Sequence, residues 1–309
     1  MLVSIVTPSY NQAAFLEQTI QSVLNQDYPH LEYMVVDGGS TDGSVDIIRK
    51  YADKLTWWIS EVDSGQGDAI NKGLAHANGE IVAWLNSDDY YLPGAIGRAV
   101  AIFNLHPDIG LVYGDVLAVD KESHMLNLLR YADWGLEGLL AFRIIGQPAV
   151  FMRRSVLEQA GHLDLRYHLL LDHHLWLRLA CLTGTLYVHE TWAAARFHEA
   201  AKNTTRALEF SQEIYRILDW MHTRADLAYL LARNEKRILA GAHCLSAFYL
   251  LDGSQPAAAL RDYGRAFLTY PPTVLKEWKR ILFAFLSLLG LNRLGSLYRR
   301  LRKARKPVS

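Results

Sequence analysis

Ile81-Val82-Ala83-Trp84-Leu85-Asn86-Ser87-Asp88-Asp89 is the stretch on which the reading of this chain turns. A short apolar run of this kind is a buried strand. It ends in two adjacent carboxylates, and like charges at a strand end repel unless a cation or a hydrogen-bond network lies between them. Hard divalent cations such as Mg²⁺ bind through one or two carboxylates and fill the rest of their shell with water and substrate phosphates. One reading is therefore a metal–diphosphate site at the carboxyl edge of an α/β sheet. The other is an Asx turn capping the next helix, with Pro93 in its first turn. On these residues alone both stay open.

Working outward, strand and helix patterns alternate through the first ~120 residues. Val3 to Thr7, Leu31 to Asp37, Leu55 to Ile59, Ile81 to Leu85 and Leu111 to Val119 read as strands. Ala14 to Gln26, Asp42 to Tyr51, Ala69 to Ala77 and Pro93 to Leu105 read as helices. Such alternation predicts βαβ units and a mostly parallel central sheet, hence an α/β fold. Further on, Ala149 to Arg153, Leu186 to Val188 and Ala194 to His198 look extended, and Asp172 to Cys181 helical. Beyond about residue 203 the strand signals stop. Helices are expected over roughly 205–221, 224–251, 255–269 and 273–305, so the chain divides into 1–200 and an all-helical 201–309.

Loops that follow parallel strands share one sheet edge. Here they contain Pro8-Ser9-Tyr10-Asn11, then Asp37-Gly38-Gly39-Ser40-Thr41-Asp42, then Asp63-Ser64-Gly65-Gln66-Gly67-Asp68, then Asn86-Ser87-Asp88-Asp89. One Asp-Gly-Gly-Ser is an ordinary turn, but four polar loops on one edge point to a ligand. No Gly-x-Gly-x-x-Gly follows the first strand, and no Gly-x-x-x-x-Gly-Lys-Ser/Thr occurs, so dinucleotide and P-loop sites are disfavoured.

Composition narrows the field. Charged residues are 21% of the chain and the net charge is zero, which argues against a nucleic-acid binder. Two cysteines suggest neither a disulfide framework nor a cysteine-rich zinc site. Met1-Leu2-Val3-Ser4-Ile5 reads as a strand and not a secretion signal, and no apolar run reaches the ~18 residues of a spanning helix. A cytoplasmic protein is the expectation.

In this order, Ser4-Ile5-Val6-Thr7-Pro8-Ser9-Tyr10-Asn11, Val35-Val36-Asp37-Gly38-Gly39-Ser40-Thr41-Asp42-Gly43-Ser44, Asp68-Ala69-Ile70-Asn71-Lys72-Gly73 and Asn86-Ser87-Asp88-Asp89 resemble a family 2 glycosyltransferase of the GT-A fold. The resemblance covers about residues 1–200. It implies an inverting transfer of a sugar from a nucleotide-diphosphate donor to a saccharide or lipid-linked acceptor, with Mn²⁺ or Mg²⁺ as cofactor. Asn86 stands at the first position of the family's Asp-x-Asp, so the resemblance makes Asp88 the main metal ligand, with Asp89 and His198 as further candidates. It places Pro8, Tyr10 and Asp37 at the base and ribose, and Asp63 and Asp68 around the nucleotide pocket. Asn86, Arg196 and Lys202 belong to the donor side. Leu171-Asp172-His173-His174-Leu175-Trp176-Leu177-Arg178 resembles the family's Glu-Asp-x-x-Leu-x-x-Arg segment, with Leu171 in place of Glu and Asp172 left as general base. Asp172 also fits an N-cap.

The last stretch changes character. Residues 274–309 hold many Lys and Arg against one acid, Glu277, around the apolar run Ile281 to Leu291. A helix of this kind can lie on an anionic membrane surface, which would make the protein peripheral on the inner face. A buried helix with a solvated basic tail fits equally. Two further functions compete with transfer: a non-catalytic scaffold that kept the fold, and a sugar nucleotidyltransferase. The latter usually carries a Gly-rich, Arg-containing loop where Pro8-Ser9-Tyr10-Asn11 stands.

Overall fold

A computed structural model describes residues 1–197 and 206–291. His198, Lys202 and the basic run from Arg293 onward lie outside the described residues. The chain forms two units: Met1–Leu139 with Ile144–His198, and Leu140–Arg143 with Glu199–Ser309.

In the first unit the strands are β1 (Val3–Ser9), β2 (Leu31–Asp37), β3 (Trp57–Ser60), β4 (Ile81–Trp84), β5 (Tyr90–Tyr91), β6 (Ile109–Val119), β7 (Met125–Leu129), β8 (Val150–Arg153) and β9 (Gly184–Arg196). The helices are α1 (Ala13–Leu24), α2 (Ser44–Lys50), α3 (Gln66–Ala75), α4 (Ala95–Leu105), α5 (Gly135–Leu140), α6 (Arg154–Ala160) and α7 (Leu171–Ala180). The strands lie in one sheet in the order β3-β2-β1-β4-β8-β6-β9-β5, with β7 beside β6.

Every residue of β1 and β4 is buried. Strands covered on both faces carry continuous apolar runs rather than alternation, which is why these segments are so plain in the sequence. Val3↔Leu31 and Val3↔Ile81 open the two parallel ladders on either side of β1. Ser9↔Asp37 closes the first, so the loops after β1 and β2 leave the sheet side by side. Helix α1 turns Leu16, Thr19, Ile20 and Val23 inward at the expected helical spacing.

The α/β expectation is met, but the sheet is mixed. Pairings β1–β2, β1–β4, β2–β3 and β6–β9 are parallel, whereas β4–β8, β6–β8, β5–β9 and β6–β7 are antiparallel. Direction reverses at β8. Leu186–Val188 and the start of the piece expected over Ala194–His198 are one strand, β9, which ends at Arg196. Exposed His189 and Glu190 break its apolar pattern, yet pairing with β6 resumes across irregularities around Asp115. Gly114 makes this approach feasible: a Cβ there would sit 2.6 Å from the Glu190 carbonyl oxygen.

Among its described residues the second unit is helical: α8 (Ala207–His222), α9 (Ala228–Asp252), α10 (Pro256–Thr269), α11 (Pro271–Val274) and α12 (Trp278–Leu288). Ala240, Ala247, Leu250, Ala259, Tyr263, Ala266 and Ala284 form its core. The single helix expected over 273–305 is instead broken. A 3₁₀ turn at Leu275–Glu277 separates α11 from α12, and α12 stops at Leu288 in a Schellman cap. Gly290 has φ 74°, its N–H donates to the Ser287 carbonyl at 3.1 Å, and Leu291 N–H donates to the Leu286 carbonyl at 2.9 Å.

Candidate active site

The carboxyl ends of β1 to β4 carry the polar loops, and hydrogen bonds knit them together. Gly38 N–H donates to the Ser9 carbonyl at 2.8 Å, and Asn11 N–H to Ser40 Oγ at 2.8 Å. Thr41 N–H donates to Asn11 Oδ1 at 2.9 Å. Asn11 sits at φ 51°, a left-handed turn that Asn tolerates. Pro8 is buried at the end of β1, and Tyr10 stands 63% exposed above the edge.

Asp37 is fully buried at the end of β2 and its charge is met from within. Its Oδ2 accepts from Gly39 N–H (3.1 Å), Ser40 N–H (2.9 Å) and Ser60 Oγ (2.8 Å), and its Oδ1 from Ser40 Oγ (2.5 Å). Asp63 accepts from Gly65 N–H at 2.8 Å, closing an Asx turn. Its carboxylate lies over Gly38, where a Cβ would come within 2.7 Å of Oδ2. Asp68 reaches back from the first turn of α3 to Ser64 N–H at 3.0 Å and pairs with Lys72 at 3.5 Å. The three acids thus shape the loops that border the edge.

After β4 the side chains form an amide relay. Gln147 Nε2 donates to the Trp84 carbonyl at 2.8 Å, Asn86 Nδ2 to Gln147 Oε1 at 3.1 Å, and Gln66 Nε2 to Asn86 Oδ1 at 2.7 Å. The backbone carbonyl of Trp84 can only accept, so it fixes the direction of each following amide. Asn86 is matched to this relay: a carboxylate at 86 would set oxygen against Gln147 Oε1. Gln66 received no role from the sequence, and Gln147 stands outside the four strand-end loops. Their meaning lies in each other, across residues 66, 86 and 147.

Asp88 is half-buried beside this relay, whereas Asp89 is turned inward. Asp89 Oδ1 accepts from Arg196 N–H at 3.0 Å, and its carbonyl accepts from Thr19 Oγ1 at 2.6 Å. Burial, and then the neighbouring charge of Asp88, push the Asp89 carboxyl well above the usual carboxylate range. Arg196 is placed differently from the donor-side role its sequence position implied. It is buried, and its guanidinium donates to the carbonyls of Asp88 (3.0 Å), Asp120 (3.0 Å) and Lys121 (2.8 Å), to Ser123 Oγ (3.2 Å) and to Gln18 Oε1 (2.7 Å). It also lies over the rings of Phe15 and Tyr90. With its donors committed to these acceptors, it clamps α1, the loop after β4 and the β6–β7 turn.

Asp172 is half-buried in the first turn of α7, where Oδ1 accepts from His173 N–H at 2.7 Å. Trp176, one turn later on the same face, stacks on Trp84 of β4 with centroids 5.1 Å apart. Tyr131 links the same region. Its ring lies against Gly146, next to Gln147, where a Cβ would meet the hydroxyl at 2.7 Å. Burial and the charges of Asp115 and Asp172 push the Tyr131 phenol up. His173 and His174 are buried, which holds them at about 4 and about 3, so both are neutral at pH 7.

Among the described residues, Asp120, Glu122 and His124 bring ligand atoms within 4.8 Å of one another. They form the exposed β6–β7 turn, where Asp120 Oδ1 already accepts from Glu122 N–H (3.0 Å) and His124 N–H (2.8 Å).

The fold matches known structures along nearly its whole length. TarS residues 1–349 from S. aureus with UDP-GlcNAc superposes with TM-score 0.64 at 18% identity, over 97% of this chain and 92% of that one. The chain spans 54% of a longer TarS structure. The mannosyltransferase PcManGT from Pyrobaculum calidifontis, with GDP-Man and Mn²⁺, gives TM-score 0.62 at 19% identity over 94% of this chain and 86% of that one. The fold is thus of the GT-A class that the sequence resembled.

Residues 4–159 match the model of glycosyl transferase family 2. An uncharacterized glycosyltransferase of Rickettsia typhi is 32% identical over 66% of this chain and 66% of its own length. A PGL/p-HBAD biosynthesis glycosyltransferase of Mycobacterium bovis is 31% identical over 68% of this chain and 83% of its own. The chain belongs to glycosyl transferase family 2.

Proposed function

We propose that this protein transfers a sugar, with inversion, from a nucleotide-diphosphate sugar to a saccharide or lipid-linked acceptor in cell-surface glycan synthesis. One observation carries the reading. Asp88 is presented half-buried at the carboxyl edge of β4, between the Gln66–Asn86–Gln147 relay and the Arg196 clamp, within the residues that match the family model. The Mycobacterium relative named for PGL/p-HBAD biosynthesis supports a glycan or glycolipid product, and the UDP-GlcNAc and GDP-Man neighbours support a nucleotide-sugar donor.

The donor set suits a hard cation. Mg²⁺ and Mn²⁺ are usually held by one or two carboxylates, with diphosphate oxygens and water completing the shell, and Asp88 is a half-buried carboxylate just past the end of β4. A divalent cation held by Asp88 would supply positive charge to the departing diphosphate. His198, outside the described residues, is a second candidate ligand. Tyr10 offers an exposed ring for the base, and Asp37 fixes the loop beneath it. Asp172 takes the proton of the acceptor hydroxyl as its oxygen bonds to the anomeric carbon and the bond to the diphosphate breaks. The nucleotide diphosphate leaves on the opposite face. The cytoplasmic side of a membrane is the location this reading implies.

The test is nucleotide diphosphate release from a panel of UDP-, GDP- and dTDP-sugars with Mn²⁺, read beside donor binding. Release from one donor by the wild type, lost in Asp172→Asn with binding retained, is the expected result. Absence of nucleotide binding from every donor, with metal present, would replace the transferase reading with the scaffold one.

A further inference from the structure

Half of the exposed large apolar side chains crowd into one short stretch. Twenty such side chains are exposed among the described residues, and ten of them lie between Phe267 and Leu291. Five of the ten, Leu275, Trp278, Leu282, Phe285 and Leu289, are spaced three and four apart and are each 50% exposed or more. That spacing draws one continuous line along α12 and the turn before it. Packing on the rest of the unit uses another side of the helix, where Ala284 is buried and Ile281 and Phe283 lie against the core. The line is therefore a face that this unit leaves unused, longer than single scattered surface residues would give.

The charge around it selects the occupant. Lys276 and Lys279 are exposed beside the line, with Lys279 Nζ 5.5 Å from the Trp278 ring centroid. Further along the sequence come Arg293, Arg299, Arg300, Arg302, Lys303, Arg305 and Lys306, and Glu277 is the only acid from 274 to the end. A second copy would bring two such basic segments together. An anionic surface complements both the apolar line and the charge. No helix among the described residues is long and apolar enough to cross a membrane.

We infer that α12 docks on an anionic lipid surface. Its line from Leu275 to Leu289 enters the boundary between headgroups and acyl chains, with Trp278 at headgroup level, and exposed Lys276 and Lys279 meet acidic headgroups. This goes beyond the transfer reaction and is independent of it, because docking needs neither donor nor metal.

The experiment is co-sedimentation of the full chain with vesicles of phosphatidylcholine alone or of phosphatidylcholine mixed with phosphatidylglycerol. Wild-type protein should sediment with the mixed vesicles, weakly with the neutral ones, and less as salt rises. Trp278→Ser/Phe285→Ser changes two exposed side chains, so circular dichroism should stay native while partition falls by about tenfold or more. Equal binding to both vesicles, or unchanged binding of the double variant, would overturn the inference. So would no vesicle binding by wild type together with a concentration-dependent dimer that the double variant abolishes, since a second copy would then cover the face.

Discussion

The two halves of the sheet do different work. In the half made of β3, β2, β1 and β4, every pairing is parallel and the strand ends deliver Tyr10, Asp37, Asp63 and Asp88 to one edge. In the half made of β8, β6, β9 and β5, parallel and antiparallel pairings are mixed, and its clearest charged residue, Arg196, faces inward and binds backbone carbonyls. An arginine near an edge of polar strand-end loops is easily read as a ligand for a donor. Burial and committed donors make this one a clamp that holds the edge in shape.

The largest expected effect breaks the comparison on its working side. Asp172→Asn keeps the size of the side chain and removes the base, and should lower turnover by about a thousandfold while leaving donor affinity within a few-fold. A parallel loss of donor affinity, measured by titration, would place Asp172 in binding rather than proton transfer.

Next comes the frame. Arg196→Met should cost about 3 kcal/mol or more of unfolding free energy, because several buried acceptors lose their donor at once. Urea denaturation checks this. If stability is unchanged and nucleotide affinity alone falls, Arg196 is a ligand and the clamp account fails.

The relay between the halves should give a smaller effect. Asn86→Asp would set a carboxylate oxygen against Gln147 Oε1 and add charge beside Asp88. It should lower the affinity for the donor with Mn²⁺ by roughly tenfold, about 1.4 kcal/mol. Improved affinity would mean that Asn86 is a weakened carboxylate and not a part of the relay.

Smallest is the pH dependence of the fold around α7. His173 and His174 are held at about 4 and about 3 in the folded chain, below the ordinary histidine value near 6.5. The unfolded chain therefore binds more protons between those values, and stability must rise with pH there. The contribution is full above pH 6.5 and is lost as pH falls toward 4 and then 3. Melting temperatures between pH 4 and 7 should show this slope, and His173→Gln/His174→Gln should flatten it.

How far the sequence carries the account follows the same division. Strand β4 is a short continuous apolar run, and β1 and β2 are short and rich in β-branched and apolar residues, so burial writes them into local composition. The loops were legible because strand-end position and polarity coincide, at Asp37 and at Asn86-Ser87-Asp88-Asp89. Strands β5 and β7 had no such signal. Tyr90–Tyr91 is two residues long, and Met125–Leu129 is largely exposed, so each exists through its partner strand. The relay was hidden for a related reason: Gln66, Asn86 and Gln147 are ordinary amides until the fold aligns them. Gly290 was a stop signal in plain view, and the apolar run on either side of it outweighed the cap.

The most direct test of the central claim, that Asp88 is the working acid of this edge, is calorimetric titration of UDP, GDP and dTDP into wild type and Asp88→Ala, with and without Mn²⁺. The account predicts that Mn²⁺ strengthens binding of one nucleotide to the wild type and has no effect on its binding to Asp88→Ala, whose melting temperature stays near native. A Mn²⁺-dependent gain that survives intact in Asp88→Ala would contradict it.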